Sequence, residues 1–204
     1  YVTSQLQSGL PSGFDSSYWS IVPGQSYPYL SGFYSSPPQV VSGTALNSSF
    51  AALAGQTISL LVNGSTVGST VSGANGYYYL QLPSGTIATN SQVASYMTGA
   101  NAGLAYLQNA TGSVSQLNIT GGSLNETGTS TTLSGLTAGL AVAVGSSGVA
   151  TDYASRQITA LGSSFSIDLA IMQSDRLTIF TQGAVTQTAG GSITASRLAA
   201  NAIT

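Results

Sequence analysis

Five carboxylates are the side chains of this sequence best suited to acid–base chemistry: Asp15, Glu126, Asp152, Asp168 and Asp175. Two facing carboxyls can hydrolyse a glycosidic bond, one as acid and one as base or nucleophile. Asp168 and Asp175 are near enough in sequence to be such a pair. Arg176 adjoins Asp175, however, and a surface ion pair is the plainer expectation. The other reactive types are missing. There is no His, no Cys and no Lys, and the cations are Arg156, Arg176 and Arg197. The sequence therefore lacks an imidazole base, a thiol nucleophile, a Ser–His or Ser–Lys dyad, a Schiff-base amine and the usual zinc, haem or iron–sulfur ligands. Disulfides are excluded too. The carboxylates do not cluster at the alternating positions of a calcium loop, so no metal is assigned. Gly145-Ser-Ser-Gly148 reads as a loop. Gly121-Gly122 and Gly190-Gly191 lack the lysine and the strand–loop–helix setting of a phosphate loop, and read as turns. The expectation is a protein that is not an enzyme, with no catalytic residues and no cofactor.

Two patterns point to binding or modification instead. Asn47, Asn63, Asn109, Asn118 and Asn125 each begin an Asn-x-Ser/Thr glycosylation acceptor. About half that number would arise by chance in a chain so rich in Ser and Thr. Asn63-Gly64 also has a sufficient explanation as a turn. The second pattern is aromatic. Phe14, Tyr18, Trp19, Tyr27, Tyr29, Phe33 and Tyr34 crowd one short stretch. Tyr18, Trp19, Tyr27 and Tyr29 form a candidate contact surface for sugars, since rings stack on apolar faces. Their interleaving with prolines favours a hydrophobic lid over the body of the fold.

Composition sets the background. The chain has 204 residues, of which 4% are charged, against roughly 25% in an average soluble protein. Three scattered arginines cannot neutralise a run of phosphates, so nucleic acid is excluded as a partner, and an anionic membrane surface is disfavoured. The mean hydropathy of +0.25 comes from small residues and missing charges. The apolar run Leu136–Gly145 is far short of the ~20 residues a membrane span requires, so no membrane insertion is expected. Disorder needs low hydrophobicity and high net charge, and both are reversed here. A neutral, ordered, β-rich protein follows, and its uncharged surface invites self-association. The chain opens on Tyr1 rather than Met, which suggests a processed or excised piece.

The elements that must position these residues fall into three zones. Residues 1–38 hold five of the six prolines and cannot be a helix; they read as short strands and extended coil, an aromatic lid segment. Residues 39–98 read as a small Ig-like sandwich. Gln56–Val62 alternates as a strand, Asn63-Gly64 is a type I′ hairpin turn, Ser65–Val71 returns, and Tyr77–Leu82 follows the Gly73–Gly76 turn. The Tyr77–Tyr79 triplet reads as a strand with alternate rings buried. Residues 99–204 form a second β-rich domain. Val114–Ile119 is a strand candidate. Ser134–Gly145, and a stretch from Val149 to Arg156, are the best helical segments, although Gly135, Gly139 and Gly145 weaken the first. Ser164–Leu169, Arg176–Phe180, Gly183–Gln187 and Gly191–Ala195 are strands whose brevity suits the rungs of a parallel β-helix. The fold class is thus all-β with at most one or two short helices. Such a coil would expose an apolar end after Thr204 unless a longer chain or another subunit covered it.

The residues Gly13-Phe-Asp-Ser-Ser-Tyr-Trp-Ser-Ile-Val22, followed by Tyr27-Pro-Tyr-Leu30, resemble the segment that closes GLUG-type repeats in large bacterial exoproteins of the filamentous-haemagglutinin type, the adhesins exported by two-partner secretion. Ala54–Gly64 and Asn75–Tyr79 look like the small Ig-like modules that follow such repeats. Leu177–Leu198 looks like haemagglutinin-type β-helix rungs. The resemblance implies an extracellular, adhesin-like or filament-forming surface protein with no catalytic residues. This sequence departs from the pattern in its size and in lacking the secretion domain.

The expected function is that of a secreted, non-enzymatic cell-surface glycoprotein of structural or adhesive kind, part of a filament or long adhesin. Its expected partners are copies of itself or the rest of a longer chain, with glycans as further candidates. One alternative is a fimbria-like subunit that polymerises by strand addition, through Tyr1–Leu10 or Ser192–Thr204 or along Ala184–Thr194. Another is a carbohydrate-binding module. A carboxylate-only glycosidase or lyase using Asp168 or Asp175 is the third.

Overall fold

The computed structural model describes residues 3–127, 132–149, 157–160, 165–172, 176–181, 183–194 and 197–202. In chain order the elements are α1 (Thr3–Ser8), β1 (Trp19–Ser20), β2 (Tyr29–Leu30), β3 (Gln39–Leu46), β4 (Thr57–Val62), β5 (Ser65–Val71), β6 (Tyr77–Leu82), β7 (Ser91–Met97), β8 (Gly103–Ala110), β9 (Ile119–Thr120) and β10 (Ser123–Glu126). They continue with α2 (Leu133–Val144), β11 (Gln157–Ala160), β12 (Phe165–Ile167), β13 (Ala170–Met172), β14 (Arg176–Thr181), β15 (Val185–Gln187), β16 (Ser192–Thr194) and β17 (Arg197–Ala202). The fold is all-β, with two short α-helices among the described residues. Neither helix is long and apolar enough to cross a membrane.

Hydroxyl-rich strands with apolar residues at alternate positions must bury one face, and β3 to β9 do so as a two-sheet sandwich. One sheet has the order β6-β3-β9. The other, β5-β4-β7-β8, is one end of an eight-stranded sheet that runs on through β10, β11, β14 and β17. Asn63 and Gly64 both adopt positive φ (48° and 80°), which a type I′ turn between β4 and β5 requires. Tyr78 points inward and is 2% exposed, while Tyr77 and Tyr79 lie half-buried on the other face. Residue 98 falls in the turn between β7 and β8, which pair as Tyr96↔Leu104 and Ala94↔Tyr106, so the sandwich continues past it. The Val114–Ile119 stretch forms little strand. Gln116 adopts a φ of 58°, and β9 is confined to Ile119–Thr120.

Beyond the sandwich the pairing turns parallel. β10 lies between β8 and β11, with Leu124 beside Leu104 and Ile158. The chain then winds through β11, β12 and β13 and repeats the circuit. β14 stacks on β11 (Ile158↔Ile179), β15 on β12 (Phe165↔Val185), β16 on β13 (Ile171↔Ile193), and β17 on β14 (Leu177↔Leu198). Parallel stacking at offsets of 20 to 22 residues on three faces is the geometry of a parallel β-helix.

The eight-stranded sheet has a core on each face. Leu60, Val62, Val93 and Ala105 face the β6-β3-β9 sheet, with Val41, Tyr78 and Ile119 opposite. Their neighbours Leu61, Ala94, Leu104 and Tyr106 face the other way, onto α2 and the coil residues Phe165 and Ile167 of the first circuit and Ile179 of the second. Strands covered on both faces read as nearly continuous apolar runs, as Leu60-Leu61-Val62 does. The helix α2 presents Leu133, Leu136, Leu140, Ala143 and Val144 at helical spacing to this second core. Thr132 caps it by accepting the Gly135 N–H at 3.1 Å. Gly139 is there because the Tyr106 hydroxyl lies against it: a Cβ would come within 2.0 Å of that oxygen. At its far end Gly145 and Gly64 touch, and the Gly64 N–H donates to the Ala143 carbonyl at 3.1 Å. The hairpin turn of the sandwich thereby caps the helix.

Two expectations for the ends change. The first zone does contain a helix, α1, which is complete before Pro11 and so escapes the prolines. Of the Tyr1–Leu10 stretch, Thr3–Ser8 is thus helical rather than presented as a strand. Ser192–Thr194 and Arg197–Ala202 are strands, but both are paired within their own chain. The Val149–Arg156 stretch lies outside the described residues beyond Val149.

Candidate functional site

The segment from α1 to Tyr34 is folded against β6 and β3 by turns and hydroxyls rather than by long strands. The Asp15 carboxylate accepts the backbone N–H and the hydroxyl of Ser17, both at 2.8 Å. The Asp15 carbonyl accepts the N–H groups of Tyr18 and Trp19. The tight turn that results feeds β1, which pairs with β2 as Trp19↔Leu30 and Ser20↔Tyr29. The Tyr18 carbonyl then receives both the N–H and the hydroxyl of Ser31, at 2.9 and 3.0 Å. The 3-10 turn Ser31–Phe33 starts from that junction. Farther along, the buried Ser26 hydroxyl accepts the Val22 N–H, and Gln7 of α1 bridges to Gly24 and Gln25.

This framework sorts the aromatic rings into two tiers. The inner tier is a lid. Tyr27 packs on Tyr79 with ring centres 4.6 Å apart, and its N–H donates to the Tyr79 hydroxyl. Burial under that cover pushes the Tyr79 hydroxyl pKa up to about 12. Tyr29 is buried and meets Tyr34 edge-on at 5.4 Å. In the outer tier Trp19 is half-buried and packs edge-on against Phe14 at 4.6 Å. Tyr18 is 66% exposed and Phe33 80% exposed, and neither ring stacks on another among the described residues. They flank an open hollow of about 410 Å³ with Ser17, Leu30, Ser31 and Gly32. Small-molecule sites typically occupy ~300–1,000 Å³.

Of the four residues expected to form an aromatic contact surface, the structure keeps Tyr18 and Trp19 on the outer tier and turns Tyr27 and Tyr29 inward. Phe33 is the residue the pattern did not single out. Its signal was its place after Ser31-Gly32, where a turn holds a ring away from any strand face. The electrostatics there are simple. The Ser17 N–H and hydroxyl hold the Asp15 carboxyl below the ordinary carboxylate range, so it is ionised at neutral pH. The sequence carries no cation before Arg156.

The other candidates lie elsewhere. Asp168 sits at the start of α2, where its carboxylate accepts the Ser134 N–H at 2.9 Å and the Ser134 hydroxyl at 2.5 Å. The hydroxyl bond, then the backbone bond, holds its pKa below the ordinary 3.8. This is the placement of a helix-capping anion. Asp152, Arg156 and Asp175 lie outside the described residues. Among the glycosylation acceptors, Asn47 spends its Oδ1 on the N–H groups of Ser49 and Ala51, Asn118 on that of Thr44, and Asn63 on that of Gln92. Asn109 is exposed, with Gln92 donating to its Oδ1 at 3.4 Å. Asn125 differs: its Nδ2 donates to the Asn118 carbonyl and the Thr120 hydroxyl.

No protein-family model and no curated protein matches this sequence. The likeness to haemagglutinin-type exoproteins therefore rests on the quoted residues alone.

Proposed function

We propose that this chain is a non-enzymatic extracellular surface protein, structural and adhesive, and part of a filament or a long adhesin. The observation that carries the proposal is the outward-held pair Tyr18 and Phe33. Two large rings left in solvent around one hollow, on a hydrogen-bonded framework, support a contact surface. A sandwich joined to a parallel coil through one unbroken sheet supports a load-bearing role. The chemistry of the sequence supports the non-enzymatic part, since the Asp168 carboxylate is engaged in capping α2. The test is labelling of intact producing cells with an antibody against the folded chain. The expected result is strong labelling without permeabilisation. Labelling that needs lysis would overturn the proposal.

A further inference from the structure

We propose that the hollow between Tyr18 and Phe33 is a binding subsite for an uncharged sugar ring, as found in a neutral polysaccharide. The inference rests on the adhesive reading and supplies its ligand class. Four observations converge on it. The first is the contrast within one segment: Phe14, Trp19, Tyr27, Tyr29 and Tyr34 all pack ring on ring, while Tyr18 and Phe33 do not. The second is preorganisation. The two rings sit on backbone segments joined directly by the paired bonds from Ser31 to the Tyr18 carbonyl. A ligand seated between them orders little that is not already ordered. The third is the mixture of surfaces. Apolar faces at Tyr18, Phe33 and Leu30 suit the C–H faces of a pyranose, and the Ser17 and Ser31 hydroxyls lie beside them for its hydroxyls. The fourth is charge. Asp15 shares the turn of Ser17 and is ionised, and the sequence carries no side-chain cation before Arg156, so this segment offers no counter-charge to a uronate, a sialic acid or a phosphate. Size argues against a folded protein as the occupant. Six residues line the hollow, whereas a stable protein interface needs ~800 Å² from each partner.

The experiment is a titration of the purified chain with neutral gluco-, manno- and galacto-oligosaccharides and with oligogalacturonate. It is read by calorimetry and by the fluorescence of Trp19. Saturable binding of at least one neutral series is expected, with oligogalacturonate weaker by more than tenfold. Tyr18→Ala and Phe33→Ala should each weaken binding at least tenfold, and Tyr18→Phe should retain it. Both residues are exposed, so the thermal melts of the variants should match the parent and exclude misfolding as the cause. The inference is overturned if no neutral series binds at millimolar concentration, or if binding survives both alanine variants. It is equally overturned if the variants abolish self-association in sedimentation instead, which would make the rings a contact between copies. Intact-cell labelling that succeeds while every sugar fails would sink this inference and leave the adhesive reading standing.

Discussion

Tyr78 illustrates how much of this fold hangs on single hydroxyls. Its ring is buried in the sandwich and its hydroxyl donates to the Leu117 carbonyl, at the point where Gln116 breaks the strand. Tyr78→Phe should therefore cost ~1–3 kcal/mol, the penalty of a buried carbonyl left without a donor. Denaturant unfolding measures it. Gly139→Ala would ordinarily favour a helix by ~1 kcal/mol. Here the new methyl meets the Tyr106 hydroxyl, and the variant should instead lose ~1–3 kcal/mol. Asp168 gives a pH signature. Because its folded pKa is depressed, its contribution is present in full above the ordinary 3.8 and is lost as pH falls through the lowered value. The melting temperature of the parent should drop across that acidic window more steeply than that of Asp168→Asn. Glycosylation should discriminate as well. In a host that modifies such acceptors, glycopeptide mass spectrometry should find Asn109 occupied and Asn125 bare, because the Asn125 amide nitrogen is spent on two hydrogen bonds.

At the scale of elements, α2 is the joint. Leu136 and Leu140 are fully buried in a core shared by the sandwich strands and coil residues of both circuits. Leu136→Ala should cost ~2–5 kcal/mol and lower the stability of both parts in one cooperative transition, followed by circular dichroism. Separate transitions for sandwich and coil would contradict that joint. The elements that local chemistry dictates were legible in the sequence. Asn63-Gly64 allows little but a tight hairpin, Tyr77–Leu82 alternates visibly, and the apolar spacing of Leu133–Val144 is helical despite its glycines. The close approach of Tyr106 explains the Gly139 that weakened that reading, and the contact arises between residues 33 apart in sequence. Long-range pairing was not legible. Nothing local shows that β8 joins both β7 and β10, which places sandwich strands beyond residue 98. Helix α1 was missed because the prolines that dominate its zone begin only after it ends. The candidate site was half legible. The cluster of aromatics announced itself, but which rings face outward depends on the Ser31–Tyr18 bonds and on Tyr79, far along the chain.

For the whole molecule the decisive property is neutrality. From Tyr1 to Ala150 the only charged side chains are Asp15 and Glu126, and Glu126 is buried. Apart from Asp15, the exposed surface of the described residues in that part is uncharged: hydroxyls, amides, a few rings and scattered aliphatic side chains such as Val71 and Val142. Adhesion through it should be nearly insensitive to ionic strength, since there is little charge to screen. Binding measured in 50 mM and in 1 M salt should agree within about twofold, whereas a charge-steered contact would weaken strongly. The central claim is adhesion through Tyr18 and Phe33, and retention under flow tests it most directly. Beads coated with the chain should be held on neutral glucan, mannan or galactan surfaces, and beads coated with the Tyr18→Ala/Phe33→Ala double variant should wash away. Wild-type beads that wash off every such surface, or variant beads held as firmly as wild type, would contradict it.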